Sequence, residues 1–530
     1  MSMGFLVLSA LAVAPFFVVL YVIDFIRSIS KDPREPPTIW HPFPLIGHVF
    51  NILQIGTNPY VSKLSEKTHA SMFTIDFLLA RLYVTNSSDA NANVQRAART
   101  VSFRPFKKVL MRNLAGVNAH TLRLYDEGGR AEGDGSFVKE IDRFVLAGLS
   151  QGPGLDQMIT RMGVAVTSSL DTVIIDDAIG LMDWVRHTVT LAVSTAMYGP
   201  KNPYFLRENR LAFWACDKYK MILTTGLPSS IFARGGLRSR DILVAAFEEF
   251  FRSNGPETGS EVTKGRYHMY TKHNISISEM ARLEMSTSFG LFPNIVPTSF
   301  WTIYEIYTRP RLLEEIRTEV RNAIIVERES SDSHFTLSIS HLRNCKILIS
   351  TFQETQRIRS RAAGVRQVMS DTIIDVPASG RAPASSYLLK KGAFVQIPSE
   401  AIHNDLSSWG SNARTFDPYR FLGLSTEPSR SRGKLNKGSF IPFGYAPSVC
   451  PGRQFAATEI MTLVAMMVLR YDVEPVAGQW QPLESDLKEP VTLAPPKGDV
   501  GVRFKERREW KGIWHVDVGD EKSTFKLASG

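Results

Sequence analysis

A chain of 530 residues, 44% hydrophobic and 22% charged, is long enough for one large enzyme domain with a short appendage and too apolar to be disordered. The net charge of +10 is spread along the chain, without zinc-finger spacing or an aromatic-basic module, which speaks against nucleic acid and for a surface facing anionic lipid or an acidic protein. Three cysteines, Cys216, Cys345 and Cys450, are too few for a disulfide framework and fit a reducing compartment.

In chain order, Gly4 to Ile23 is a run of 20 residues without a charge, enough to cross a bilayer as a helix. Asp24 ends it, and Arg27, Lys31 and Arg34 follow, a positive flank that places the rest of the chain in the cytosol. The run lacks the leading basic residues and small-residue cleavage site of a signal peptide. The expected organisation is therefore a transmembrane anchor at 4–23, a basic, proline-rich hinge at 24–45 stiffened by Pro33, Pro36 and Pro37, and a single body at 46–530.

Within the body, Leu82–Thr85 reads as an early strand and Leu181–Met197 as a helix. Cys216 and Cys345 read as small core residues. Gly148-Leu149-Ser150-Gln151-Gly152 matches a hydrolase nucleophile elbow, but the residues before it look helical and Pro153 follows, so it reads as a chance match. Ser276 to Tyr307 predicts one very long helix kinked at Pro293 and Pro297, and Pro310 the first turn of another through Leu312, Ile316, Val320 and Ile324. Leu342 to Ile358 is helical, with Glu354 and Arg357 on one face. Gly364 to Ile397 alternates short apolar runs with turns, as in a small sheet. Leu424 to Gly438 reads as a surface loop, and Lys505 to Gly530, polar with two tryptophans, has no evident role.

The segment Phe440-Ile441-Pro442-Phe443-Gly444-Tyr445-Ala446-Pro447-Ser448-Val449-Cys450-Pro451-Gly452-Arg453 is a Gly- and Pro-built loop leading to one cysteine, followed at once by a helix through Phe455, Ile460, Leu463, Val464, Met467 and Val468. A helix start offers unpaired amides and positive dipole charge, conditions expected to depress the cysteine pKa and make a thiolate fit to bind iron. The segment resembles the haem-binding signature of the cytochrome P450 family, with Phe443, Gly444, Cys450 and Gly452 matching in order and spacing. It departs at Ala446, where a second Gly is usual, and at Ser448, where a cation usually meets a haem propionate. Glu354-Thr355-Gln356-Arg357 is similar to the family's Glu-x-x-Arg helix, and Phe416-Asp417-Pro418-Tyr419-Arg420-Phe421 to the stretch whose Arg completes a buried triad with it. His403 reads as structural.

The resemblance implies a mainly α fold with small β-sheets, the cytochrome P450 fold, preceded by one transmembrane helix. It implies haem b with Cys450 as axial ligand of the iron, a structural triad of Glu354, Arg357 and Arg420, and NADPH acting indirectly through NADPH-cytochrome P450 reductase. The acid-Thr pair usual in the long helix is missing. Asn294, two residues, Pro297, then Phe300-Trp301 resembles the sterol 7α-hydroxylase and prostacyclin synthase branch, so Asn294, with Thr298, is the expected distal catalytic pair. The propionate motif of the early helix is not evident, and Arg123, Lys139 and Arg143 are substitutes between which the sequence does not choose. Ala362, Val365 and Leu493 are the expected substrate contacts, small and apolar for a lipophilic ligand. The expected activity is oxidation of a terpenoid, sterol or polyketide-derived metabolite in fungal secondary metabolism, at the endoplasmic reticulum membrane with the catalytic domain in the cytosol. The alternative is a reductase-independent isomerase or dehydratase.

Overall fold

The computed structural model describes residues 15, 18–78, 80–130, 137–225, 228–329, 332–361, 363–378, 383–423, 438–445, 449–487, 493–519 and 524–528. Among these, helices dominate. The larger ones are α1 (Ala119–Arg130), α2 (Phe137–Leu149), α3 (Pro153–Asp171), α4 (Leu181–Tyr198), α5 (Arg207–Lys218), α6 (Arg234–Arg252), α7 (Glu261–Lys272), α8 (Ile277–Tyr307), α9 (Pro310–Arg321), α10 (Lys346–Arg359) and α11 (Arg453–Arg470).

The axis of the body is α8, 31 residues long, which spans about 46 Å at the helical rise. Ser276 caps it, its side chain accepting the Glu279 N–H. Pro293 and Pro297 lie inside it, as expected, and each removes one backbone donor. The helix is wholly buried from Ile295 to Tyr307, and along its length it packs against α4, α6, α10 and α11. Arg266 of α7 and Glu284 of α8, both buried, form an ion pair that ties the first half.

Among the described residues, four small sheets flank the helices. β1 (Met72–Asp76), β2 (Arg81–Thr85), β10 (Phe394–Pro398), β7 (Ala363–Val368) and β3 (Val101–Ser102) form a five-stranded sheet in that order. β11 (Tyr471–Pro475), β12 (Gly501–Glu506) and β4 (Ile179–Gly180) form another, and β8 (Thr372–Val376) pairs with β9 (Ser385–Leu389). In the fourth, β13 (Ile513–Asp517) lies parallel to β6 (Asp332–Ser338), which pairs with β5 (Ile324–Glu329).

Several expectations change. The helical stretch from Leu342 to Ile358 is two elements, Ile339–Leu342 and α10, because the Glu319 carboxylate of α9 accepts the Ile347 and Leu348 N–H groups at 3.0 Å and starts a new helix there. The helix begun at Pro310 ends at Arg321, and Ile324 opens β5. The residues after Lys505, left without a role, contain β13.

The proline-rich stretch is not a free spacer. Thr74 N–H donates to the Pro37 carbonyl and Ile39 N–H to the Thr74 carbonyl, so the stretch runs beside β1. The buried Glu35 carboxylate meets Arg81 at 2.5 Å and the Tyr83 hydroxyl at 2.6 Å. The body therefore begins ahead of residue 46. Most of the expected anchor, residues 4–14, 16 and 17, lies outside the described residues. Residues 18–29 are helical and expose Val18, Val22, Phe25 and Ile29, and Arg27 donates to the Phe77 and Leu78 carbonyls. No helix among the described residues is long and apolar enough to cross a membrane.

Ser150 is no nucleophile. It follows α2 rather than a strand, and its hydroxyl donates to the Leu146 carbonyl at 2.5 Å.

Candidate functional site

The cysteine loop is closed by a short backbone bridge. Cys450 N–H donates to the Phe443 carbonyl at 2.8 Å, and Gly444 N–H to the Ile441 carbonyl at 3.1 Å. Gly444 sits at φ 82°, a left-handed conformation costly for any residue with a Cβ. Phe443 packs half-buried against the main core. Gly452 caps α11, and a Cβ placed there would lie 4.0 Å from Cys450 Sγ. Ala446 and Ser448, the two departures from the family signature, lie outside the described residues.

Cys450 is reached by solvent, yet burial pushes its thiol up from the ordinary cysteine value, with the Gly452 N–H and the Arg453 charge pulling it back. This corrects the expected depression: desolvation outweighs the helix start. Cys216 and Cys345, in contrast, are buried in the core, and burial pushes both thiols up to about 12.

Behind the cysteine loop the three charged residues picked out by sequence lie together. Arg357 Nε and Nη2 donate to the two Glu354 oxygens at 2.7 Å each, with both side chains fully buried. Arg420 Nε reaches both oxygens at 3.1 Å, and Asp417 N–H adds a fourth donor at 3.0 Å. The arginines also donate outward: Arg357 to the carbonyls of His403 and Ala413, Arg420 to the Asn412 side chain and the Thr415 carbonyl. A carboxylate so saturated offsets the desolvation that otherwise makes buried ion pairs costly.

His403 links this cluster to the cysteine loop. Its carbonyl takes the Arg357 bond, and its Nε2 accepts the Ile441 N–H at 2.9 Å. Burial, reinforced by the Arg357 charge, pushes its pKa down to about 3, so the ring is neutral and free to accept. It is structural, as expected, and its hold on the loop had no signature in the sequence.

On α8, Gly290 is exposed, and a Cβ added there would meet nothing within 4 Å, so the helix opens on empty space at its middle. Asn294, one turn on, is half-buried. Thr298 is 4% exposed and donates its hydroxyl proton to the Asn294 carbonyl at 2.6 Å. The Thr298 hydroxyl is thus engaged with the backbone of its own helix.

Among the expected substrate contacts, Ala362 lies outside the described residues and Val365 is half-buried on β7. Leu493 is 2% exposed, bridged to Ser360 and packed in the core rather than open to a ligand. The adjoining Ala494 carbonyl accepts the Trp301 indole N–H at 2.8 Å, which ties this turn to α8. The proposed propionate cations Arg123, Lys139 and Arg143 are exposed on α1 and α2.

The sequence missed Arg366, one residue past Val365. Its guanidinium stands over Phe103 at 5.1 Å, and its hydrogen bonds are to the Val365 carbonyl at 3.0 Å and Gln95 at 3.4 Å. Burial pushes its pKa down, and no carboxylate among the described residues pairs with it. A desolvated cation without a counterion is the signal of an anionic ligand, and only the structure carries that signal.

These residues fit a haem: a solvent-reached cysteine on a helix-start loop, a long helix open at its middle, and a half-buried arginine that no carboxylate among the described residues pairs. A mainly helical body that presents one such cysteine from a helix-start loop defines the haem-thiolate class. The cytochrome P450 family model matches residues 276–502. The cytochrome P450 monooxygenase nodJ of Hypoxylon pulicicidum is 35% identical over 94% of this chain and 96% of its own length. The cytochrome P450 monooxygenase efuG of Hormonema carpetanum is 24% identical over 90% of each chain. The 25-hydroxycholesterol 7-alpha-hydroxylase of Rattus norvegicus is 23% identical over 68% of this chain and 88% of its own. The chain belongs to the cytochrome P450 family and is an oxidoreductase of the monooxygenase type.

Proposed function

We propose that this monooxygenase oxidises a lipophilic small molecule, a terpenoid, sterol or polyketide-derived metabolite, in fungal secondary metabolism. The likeness to nodJ over 94% of the chain carries this reading, supported by the open glycine Gly290 on the long helix. Haem, when bound, supplies an iron centre for oxygen chemistry. In this reading Cys450 would hold the haem iron through its sulfur, with Phe443, Gly444 and Gly452 shaping the loop, and Glu354, Arg357 and Arg420 would hold that loop in place. Asn294 would orient a water by hydrogen bonding, and Arg366 would meet a haem carboxylate. Electrons come from NADPH through a separate reductase, for which the net positive charge suits an acidic docking face. The uncharged residues 4–23 anchor the chain in the endoplasmic reticulum membrane, and the apolar side chains exposed at 18–29 extend that contact.

The difference spectrum of the dithionite-reduced, carbon monoxide-bound protein tests the ligand: a thiolate-type Soret band is expected, lost in Cys450→Ala. Turnover with and without NADPH and reductase tests the reaction. The missing acid-Thr pair and the committed Thr298 proton favour an isomerase or dehydratase as second reading, and product formed without reductant would establish it.

A further inference from the structure

Residues 524–528 lie against the elements that carry the cysteine. The Gln454 side chain makes a two-point pairing with the backbone of Phe525: Phe525 N–H donates to Gln454 Oε1 at 2.8 Å, and Gln454 Nε2 donates to the Phe525 carbonyl at 3.2 Å. Gln454 is the second residue of α11, four positions past Cys450. Two residues on, Leu527 N–H turns back onto the Phe525 carbonyl at 3.0 Å. Gln353, beside Glu354 on α10, donates its amide to the Ala528 carbonyl at 3.3 Å. The apolar side chains follow the same line. Phe525 is 3% exposed and sits in the main core, Leu527 packs against that core, and Ala528 packs on the Trp409–Ala413–Phe421–Phe440 cluster.

One short segment therefore touches the cysteine helix, the Glu-Arg helix and the loop between them. The start of α11 needs such support. Its first turn has no side-chain cap, and the Arg453 N–H reaches the Cys450 carbonyl at only 3.4 Å. Helix starts leave amides unpaired and open easily. Here a side chain of the first turn is instead held by a backbone from outside the helix.

We infer that residues 524–528 are a positioning clamp for the thiolate, acting through the Gln454–Phe525 pairing to keep the first turn of α11, and with it Cys450, in the geometry that ligates iron. This rests on the reading of Cys450 as the haem ligand. Loss of the clamp frees the helix start, and the sulfur leaves its ligating position while the body stays folded. The exposed Lys526 of the same segment plays no part.

The test uses the full-length holoprotein and the variants Gln454→Ala, Phe525→Ala, their double, Lys526→Ala, and a chain ending at Gly519. The readout is the rate at which the reduced, carbon monoxide-bound form loses its thiolate-type Soret band in sub-denaturing urea, with helical circular dichroism followed alongside. Gln454→Ala is expected to lose the band about fivefold faster than the parent at unchanged circular dichroism, as fits one lost hydrogen-bonded pairing, and Phe525→Ala, which keeps the backbone groups but removes the buried ring that seats them, at least as fast. The double variant is expected to match the worse single, because both remove one link. Lys526→Ala should behave as the parent. Parental rates in both single variants, or effects that multiply in the double, overturn the clamp. If the shortened chain does not fold, the point variants decide. A parent protein without the thiolate-type band defeats the ligand reading instead, a different outcome from a parent with the band and variants that keep it.

Discussion

His403 offers the sharpest check on how the cysteine loop is held. Its Nε2 accepts the Ile441 N–H at 2.9 Å inside a fully buried site, where burial and the Arg357 charge keep its pKa at about 3 against an ordinary 6.5. A ring that must stay neutral in the fold but protonates freely when unfolded makes the unfolded state the better proton binder below pH ~6.5. Its contribution to stability is therefore complete above that value and is lost as pH falls from there toward about 3. Between pH 7.5 and 4.5 the loss from this one group is about 2.5 kcal/mol. Glutamine places an oxygen acceptor near the Nε2 position and does not titrate. His403→Gln should therefore keep the thiolate-type Soret band at neutral pH and flatten the acid limb of the stability curve by about 2 kcal/mol across that range. Chemical denaturation of parent and variant at matched pH values measures this directly. The pKa of His48, likewise pushed down to about 4 by burial, contributes equally to both proteins and cancels. Superimposable pH profiles would refute the neutral-acceptor assignment. His403→Leu, which leaves the Ile441 N–H without a partner, should cost about 1–3 kcal/mol at neutral pH, a cost that shrinks in acid as the parent loses its own His403 contribution, and should broaden the Soret band.

Arg357→Met strands the fully buried Glu354 with half its partners gone, and the carbonyls of His403 and Ala413 lose a donor. A loss of about 3–5 kcal/mol is expected in urea melts, with little haem retained; a loss under about 1 kcal/mol would contradict a saturated triad. Arg366→Leu removes a half-buried, desolvated cation that no carboxylate among the described residues balances, so the haem-free protein should be as stable as the parent or more so. Haem should nevertheless leave about tenfold faster in transfer to apomyoglobin, and an unchanged rate would remove Arg366 from the propionate site. Asn294→Ala should leave the Soret band intact and lower product formed per NADPH by about tenfold or more, measured as coupling with reductase; unaltered coupling would make Asn294 a packing residue.

How much of this was legible in sequence depends on how far apart the interacting groups are. The Glu354–Arg357 pair is one helical turn, and Arg420 was located because the family pattern around it is well marked. Asn294 and the two prolines were visible for the same reason. The His403 bond to Ile441 joins residues 38 apart, with nothing in either neighbourhood to announce it. Glu319 breaking the helix before α10 is likewise a contact from another element. β13 was invisible because Ile513-Trp514-His515-Val516-Asp517 is short and half-exposed, and becomes a strand only by pairing parallel with β6, far back in the chain. Arg366 is one of many arginines until its burial is known. Thr298 shows the opposite failure: it is the right residue type in the right place, yet its hydroxyl is bound to its own helix.

The two sides of the site are unequal in a way that bears on the chemistry. The cysteine side is over-determined. The loop is held by a buried carboxylate with two arginines and a backbone amide, by a neutral histidine, and by the backbone of Phe525 on Gln454. The α8 side at Gly290–Asn294 is sparse: an open glycine, an amide side chain, and a threonine whose proton is spent on the helix. An amide can orient a water or a bound oxygen but cannot itself supply a proton, because it does not titrate. A proton delivered there can arrive through water or from the substrate itself. A substrate carrying its own hydroxyl near the point of oxidation would supply what the long helix withholds. The choice of substrate and the completeness of the proton path are then the same question, so natural and deoxygenated analogues should differ in coupling more than in binding.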